Sequence, residues 1–192
     1  MQNDVALVVN SEDIVHFDTL EIAHVGLPLR HIGTGMLVIK HLKLHDFTAD
    51  AFNSYGNIHI EHLEVDYYNP DFVYSDNYHA DALGQLIPRP GSDSVSNVTI
   101  GKITANVVGN KIQGIMLSEP VEYYNFSIGA QGAEINMDYP YAFVANTLAD
   151  SYVNVGNNGI KIKKVKQSLF DTSNVWTEKN GVLLKHNGDI VL

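Results

Sequence analysis

The sequence contains no cysteine, few basic residues and no long apolar run. The absence of cysteine excludes disulfides and thiol chemistry. Twelve Lys and Arg residues are spread among 22 Asp and Glu residues, which gives a formal net charge of −10 and no basic patch. We therefore expect neither nucleic acid nor an anionic membrane as a partner. The N-terminal stretch has no basic region and only a short apolar run, so it predicts neither a signal peptide nor a spanning segment.

The composition is otherwise that of an ordinary folded protein. Hydrophobic residues make up 45% of the 192 residues and charged residues 18%. A chain of this length can bury one substantial core, so we expect a single folded domain. The composition does not favour disorder.

A repeat runs through most of the chain, with a period just above twenty residues at first and intervals of 22, 21, 40, 28 and 27 residues between its anchors. Its anchors are apolar residues, each preceded two positions earlier by another apolar residue: Phe17, Ile39, Ile60, Ile100, Ile128 and Val155. A further apolar column stands five positions after the anchors and reads Ile22, Leu44, Val65, Ala105, Ala133 and Ile160. Two columns alternate in charge, one with Asp18, Lys40 and Glu61, the other with Glu21, Lys43 and Glu64. Stacked neighbours of opposite charge favour this register.

This pattern predicts an all-β protein, a right-handed parallel β-helix of about six or seven coils that stack at about 4.8 Å. An antiparallel sandwich with evenly spaced strands is the alternative. The coils occupy residues 1–166. Residues 167–192 carry two Asn-Gly turn signals between short apolar segments, which predicts a terminal β-hairpin that caps the helix or contacts another subunit.

A second column of short segments marks one coil as unusual. The segments begin at Asp50, Asp81, Gln113 and Tyr141 and reach, two residues later, Phe52, Leu83, Ile115 and Phe143. Asp81 comes late in its coil because the aromatic loop YYNPDFVYSDN precedes it. Loops inserted into one coil of a solenoid commonly wall a groove, and the strand HADAL would form its floor.

The segment HADAL followed by GQLIP resembles a strand of right-handed β-helix carbohydrate-active proteins, the pectate-lyase and polygalacturonase-like group that includes phage tail-spike depolymerases. The resemblance implies a β-helix fold, a polysaccharide partner and an extracellular or virion-associated location. It also implies that Asp81 faces the groove and Leu83 the core. Gln113 stands where a polygalacturonase has a second aspartate. By analogy with tail spikes, the oligomer would be a homotrimer.

Stacking of these coils predicts a catalytic group around two aspartates. Asp50 and Asp81 would lie about 5 Å apart, the separation of a retaining glycosidase pair. Alternatively, a base among Lys111, His79 and Tyr139 could perform β-elimination on a uronate. The residues expected to bind the saccharide are Gln85, Gln113, Tyr68, Tyr74, Tyr139 and Tyr141.

These interpretations have structural alternatives. Asp50 and Asp81 could instead hydrogen-bond backbone groups at the corners of the coils. They could also share a Ca²⁺ with loop carbonyls. We expect no cofactor other than this ion. His41 and His62 should stack in adjacent coils as an exposed ladder, because no third metal ligand stands in register with them. The chain is then either a glycoside hydrolase or polysaccharide lyase, or a non-catalytic carbohydrate-binding adhesin or structural fibre module.

Overall fold

The structure is a computed structural model that describes residues 4–71, 80–87, 96–109, 112–118, 124–128, 133–137, 143–145, 151–155, 160–164, 175–179 and 182–185. The strands are β1 (Val5–Val9), β2 (Val15–Val25), β3 (Leu27–His31), β4 (Leu37–Phe47), β5 (Phe52–Ser54), β6 (Ile58–Asn69), β7 (Asp81–Leu86), β8 (Ser96–Gly109), β9 (Gln113–Leu117), β10 (Tyr124–Ile128), β11 (Ala133–Met137), β12 (Phe143–Ala145), β13 (Ser151–Val155), β14 (Ile160–Lys164), β15 (Val175–Lys179) and β16 (Val182–Lys185). These residues contain no helix, and thus none that could span a membrane. The predicted all-β class is confirmed.

The described strands form two sheets. The order is β1-β3-β5-β7-β9-β12 in the six-stranded sheet and β16-β15-β13-β10-β8-β6-β4-β2 along the ten-stranded sheet, where β11 also pairs with β8 and β14. From β1 to β9, successive strands alternate between the two sheets. The pairings of β1 to β14 are all parallel, so the antiparallel sandwich is excluded for this part of the chain.

The predicted anchors lie opposite one another along the ten-stranded sheet. The observed pairs are Phe17 with Ile39, Ile39 with Ile60, Ile60 with Ile100, Ile100 with Ile128, and Ile128 with Val155. The register is therefore confirmed at all six anchors. The charged columns follow the same register, since Lys40 contacts Asp18 and Lys43 Nζ lies 3.1 Å from Glu21 Oε1.

The apolar column five positions after the anchors departs from the prediction where β11 pairs with β8. Ala105 lies opposite Ile135, and Ala133 lies opposite Ile103. The prediction that Ala133 follows Ala105 is therefore wrong, because the chain between β10 and β11 is two residues longer than the matching part of β8. The predicted pairing of Ala133 with Ile160 is confirmed.

A bulge in β7 changes the second predicted column. Asp81 lies opposite Gln113, as predicted, but Gly84 rather than Leu83 lies opposite Ile115. One extra residue between Asp81 and Gly84 accounts for the shift. Gly84 has a φ of +121°, and a Cβ at this position would lie 2.5 Å from the ring of Phe52. Only glycine adopts this backbone without strain, so the bulge depends on Gly84.

The core lies between the two sheets and consists of inward-facing apolar residues. The largest fully buried side chains are Tyr67, Phe47, Phe52, Leu29, Leu37, Ile39, Leu42, Leu44, Ile58, Ile60 and Leu63. Leu83 is also fully buried, which confirms its predicted core position. Tyr67 packs edge-on against Phe47 with ring centroids 5.0 Å apart, so this member of the aromatic segment belongs to the core.

The C-terminal strands confirm the predicted hairpin pairing. β15 and β16 are antiparallel, with Thr177 opposite Leu184. β15 also pairs in parallel with β13, with Tyr152 opposite Trp176. The parallel ladder therefore extends past residue 166, where the sequence repeat ends.

Candidate functional site

Half of the predicted site residues lie in the described part of the chain. Asp50, Asp81, Gln85, Gln113 and Tyr68 are described. The predicted roles of His79, Lys111, Tyr74, Tyr139 and Tyr141 fall outside the described residues.

The two aspartates are in direct contact. The backbone N–H of Asp81 donates to Asp50 Oδ1 at 2.9 Å, and the N–H of Ala51 donates to the carbonyl of Asp81 at 3.1 Å. The other carboxylate oxygen of Asp50, Oδ2, accepts a hydrogen bond from Asn53 Nδ2 at 3.0 Å. Asp50 therefore joins the start of β5 to the start of β7, which is what the corner alternative describes.

Asp81 itself has no exposed surface, whereas Asp50 is half-buried. A fully buried side chain cannot touch a polymer in this conformation. Of the two aspartates, Asp50 is the one that solvent can reach, and both of its oxygens already accept hydrogen bonds.

A row of polar side chains runs along the outer face of the six-stranded sheet. Val8, Arg30, Asn53, Gln85 and Met116 lie opposite one another in successive strands. Val8 is 51% exposed, whereas the residues one position earlier in β3 and β5 are buried in the core. Because side chains alternate along a strand, this column points away from the core. It is only partly accessible, since Arg30 and Gln85 are half-buried and Asn53 is 6% exposed. We call Arg30, Asn53 and Gln85 the polar row.

Side-chain hydrogen bonds connect two members of the polar row, Asn53 and Gln85, with Ser118. Asn53 Nδ2 donates to Gln85 Oε1 at 3.4 Å, and Gln85 Nε2 donates to Ser118 Oγ at 3.1 Å. Arg30 Nε, Asn53 Oδ1 and Gln113 Oε1 are buried and have no hydrogen-bond partner among the described residues. Such groups are costly to bury unless something completes their hydrogen bonds.

The polar row suits hydroxyl-rich ligands. Amides donate and accept at once, as sugar hydroxyls do, and a guanidinium can bind a carboxylate through two parallel hydrogen bonds. Arg30, Asn53 and Ser118 were not predicted as site residues. The predicted column began at Asp50. Had the alignment been continued along β5 and back into β3, it could have included Asn53 and Arg30, which lie opposite each other.

Tyr68 is the described aromatic residue that remains available to a ligand. It is 66% exposed near the end of β6 in the ten-stranded sheet, within the segment that was predicted to form the groove wall. An exposed tyrosine ring can stack on a sugar face. Its predicted role as a saccharide contact stays a prediction.

A second polar group lies on the outer face of the ten-stranded sheet. The rings of His41 and His62 stack at 4.8 Å with an interplanar angle of 6°, which confirms the predicted stacking, but both rings are half-buried and not exposed. His41 Nε2 lies 3.2 Å from Glu64 Oε2, so a third side chain that can bind a metal lies beside the pair, although no such residue stands in the histidine column itself. Glu64 was missed because it lies two residues along the strand from His62, on the same face, and not in the histidine column.

Burial and nearby charges change the behaviour of His62. Its pKa is lowered, mainly by burial and further by the neighbouring His41 and Lys102. His62 Nε2 is also 3.1 Å from Thr104 Oγ1. The ring is therefore held in place and favours the neutral form, which is the form that binds metals.

A third group joins one histidine to two carboxylates. His45 Nδ1 lies 2.8 Å from Asp46 Oδ2, and His45 Nε2 lies 3.1 Å from Glu21 Oε1. The hydrogen bond to Asp46 is the main reason that the pKa of His45 is raised, and Glu21 raises it further. Asp46 adopts a φ of 52°, an unusual value that places its carboxylate beside this ring.

Comparisons with known proteins identify no relative. No family model, no curated protein and no solved structure matches the chain. The function is therefore inferred from the geometry of these groups.

Proposed function

We propose that the chain is a right-handed parallel β-helix that binds a polysaccharide along the outer face of its six-stranded sheet, as a non-catalytic adhesin or structural fibre module. The observation that carries the proposal is the polar row of Arg30, Asn53 and Gln85, which spans three successive strands. A polymer lying across parallel strands would meet equivalent positions at each strand spacing, about 4.8 Å apart.

The strand order supports the β-helix part of the proposal. Successive strands pass from one sheet to the other and return to pair in parallel with the strand two places earlier, as in β1 with β3 and β2 with β4. Connections between parallel strands are right-handed in about 98% of known cases. The resemblance of HADAL and GQLIP to carbohydrate-active β-helices supports the same fold and the same ligand class.

The charges of the chain limit which polysaccharides we expect it to bind. The net charge of −10 opposes a densely anionic chain, whereas Arg30 supplies one local cation in the polar row. We expect the ligand to be a neutral polymer, or one that carries occasional carboxylates. An extracellular or virion-associated location and a homotrimer remain parts of this proposal that rest on the resemblance alone.

Binding to a polysaccharide panel tests the proposal. We expect affinity electrophoresis to find at least one neutral or sparsely acidic polymer that retards the chain, and Gln85→Ala to weaken this binding about tenfold. Arg30→Ala should act most strongly on polymers that contain uronates, because it removes the cation. Lys40→Ala, which removes a cation from the other sheet, is the matched control and should bind like the parent. Equal binding by all three variants would contradict the proposal.

A depolymerase is the second candidate, and what supports it is the hydrogen bond from the backbone N–H of Asp81 to the Asp50 carboxylate, which keeps the two residues adjacent. Such a protein would have to expose Asp81 during turnover. Assays for new reducing ends and for the ultraviolet absorption of unsaturated sugars distinguish hydrolysis, elimination and binding without cleavage.

Asp81→Asn separates the two candidates. If Asp81 takes part in cleavage, this nearly isosteric change abolishes turnover because it removes the ionisable group. If Asp81 only supports the coil, activity on any cleaved polymer persists and stability falls by about 1–3 kcal/mol. A folded variant that cleaves at the parent rate would exclude Asp81 from catalysis.

A further inference from the structure

We propose that His41, His62 and Glu64, the histidine cluster, form a binding site for a zinc-class transition-metal ion on the outer face of the ten-stranded sheet. The cluster lies on the sheet opposite the polar row. The inference is therefore independent of saccharide binding, and either can fail alone.

The backbone register brings the three side chains together. His41 on β4 lies directly opposite His62 on β6, and Glu64 lies two residues beyond His62 on the same face. One ligand atom from each residue lies within 4.8 Å of the other two. In tetrahedral zinc sites with bonds of about 2.0–2.1 Å, neighbouring ligand atoms are about 3.3 Å apart. The observed distances therefore need a change of about 1 Å or a little more, which side-chain rotation can supply.

One edge of the site already has the required length. His41 Nε2 and Glu64 Oε2 are 3.2 Å apart. An ion could replace the shared proton between these atoms without moving either residue far. The two imidazole rings are parallel, so at least one must turn about χ2 before both nitrogens point to the same ion. This torsion of histidine has a broad energy minimum, and the half-buried rings have solvent on one side.

The ligand types favour a zinc-class ion over Ca²⁺ or Mg²⁺. Imidazole nitrogens suit Zn²⁺, Co²⁺, Ni²⁺ and Cu²⁺, whereas Ca²⁺ and Mg²⁺ require oxygen ligands. Two nitrogens and one carboxylate oxygen would leave a fourth position for water. The Thr104 hydroxyl, 3.1 Å from His62 Nε2, would help to orient this ring.

Two lysines beside the histidine cluster lower its expected affinity for a metal cation. Lys102 lies opposite His62, and Lys43 lies opposite Glu64. Lys43 also pairs with Glu21 at 3.1 Å, which offsets its charge. Lys102 has no salt bridge among the described residues, so it acts as the main repulsive charge. We expect Lys102→Gln to bind the metal more tightly than the parent.

Titration of the metal-free chain with Zn²⁺ in a calorimeter tests the site. We expect one equivalent to bind, and His41→Ala, His62→Ala and Glu64→Gln each to weaken binding at least tenfold. His59→Ala removes a histidine of the same strand outside the cluster and should bind like the parent. Co²⁺ bound to the parent should give visible d–d absorption that His62→Ala loses.

Circular dichroism establishes that each variant is folded, which is expected because all three side chains lie outside the core. Parent chain that fails to bind Zn²⁺ would overturn the proposal. So would Zn²⁺ affinity that is unchanged in both His41→Ala and His62→Ala, because the ion would then bind elsewhere.

Discussion

At the residue scale, Asp50 is the side chain that joins fold and site. It accepts hydrogen bonds from the backbone N–H of Asp81 and the side-chain amide of Asn53, so it links the neighbouring strands β5 and β7 and orients one member of the polar row. The first of these bonds joins residues 31 positions apart and satisfies a backbone N–H at the point where a strand begins. The same residue would therefore influence both stability and ligand binding.

Asp50→Ala should lower the free energy of unfolding by about 1–3 kcal/mol, because the buried N–H of Asp81 loses its acceptor. Asp18→Ala is the control, since it removes an exposed carboxylate whose ion pair with Lys40 is screened by solvent and contributes little to stability. Urea denaturation of both variants gives the comparison. Equal losses would mean that the Asp50 hydrogen bonds contribute little.

The raised pKa of His45 predicts a dependence of stability on pH. Its contribution is fully present below the ordinary histidine pKa of 6.5 and is lost as pH rises through the raised value in the folded chain. The stability difference between the parent and His45→Gln should therefore be largest in mildly acidic solution and shrink above neutrality. Thermal melts of both proteins across this range measure it. A difference that grows with pH would contradict the assigned contacts with Asp46 and Glu21.

At the element scale, the regular strands could be predicted and the irregular ones could not. The anchors from Phe17 to Val155 were predictable because apolar alternation and charge sign independently specify the same register. The bulge at Gly84 and the longer connection before Ile135 could not be predicted, because one or two extra residues leave the local pattern intact. The burial of Asp81 depends on how side chains pack around the bulge. An alignment of sequence columns carries no information about that packing.

Gly84→Ala tests the bulge in β7. The added methyl group would meet the ring of Phe52 and would occupy a φ of +121°, so we expect a loss of about 1–3 kcal/mol in the free energy of unfolding. Combining it with Phe52→Leu removes the ring atoms, so the double variant should lose less than the sum of the single losses. Strict additivity would indicate that backbone strain alone sets the cost.

Neighbouring tyrosines at the end of β6 should behave in opposite ways. Tyr67 is fully buried and Tyr68 is 66% exposed. Tyr67→Ala should cost about 3–5 kcal/mol through the cavity that it leaves beside Phe47. Tyr68→Ala should change stability by less than about 0.5 kcal/mol and should weaken polysaccharide binding if this ring stacks on a sugar. Thermal melts and affinity electrophoresis separate these effects. Unchanged binding by folded Tyr68→Ala would exclude Tyr68 as a saccharide contact.

At the scale of the whole molecule, the two sheets carry different chemistry on their outer faces. The six-stranded sheet bears the polar row, and the ten-stranded sheet bears stacked charges and the histidine cluster. Parallel stacking repeats a side chain at each strand spacing, so one face can offer a linear array of similar groups. A linear array matches a linear polymer, and this match underlies the proposed function.

A crystal structure of the chain with an oligosaccharide of the best-binding polymer is the most direct test. The account predicts parallel pairing of Ile39 with Ile60 and sugar rings across the strands over Arg30, Asn53 and Gln85, with at least one hydroxyl bonded to the Gln85 amide. Sugar bound elsewhere, with no contact to Arg30, Asn53 or Gln85, would contradict the proposed function. Antiparallel pairing of β4 with β6 would contradict the fold on which it rests.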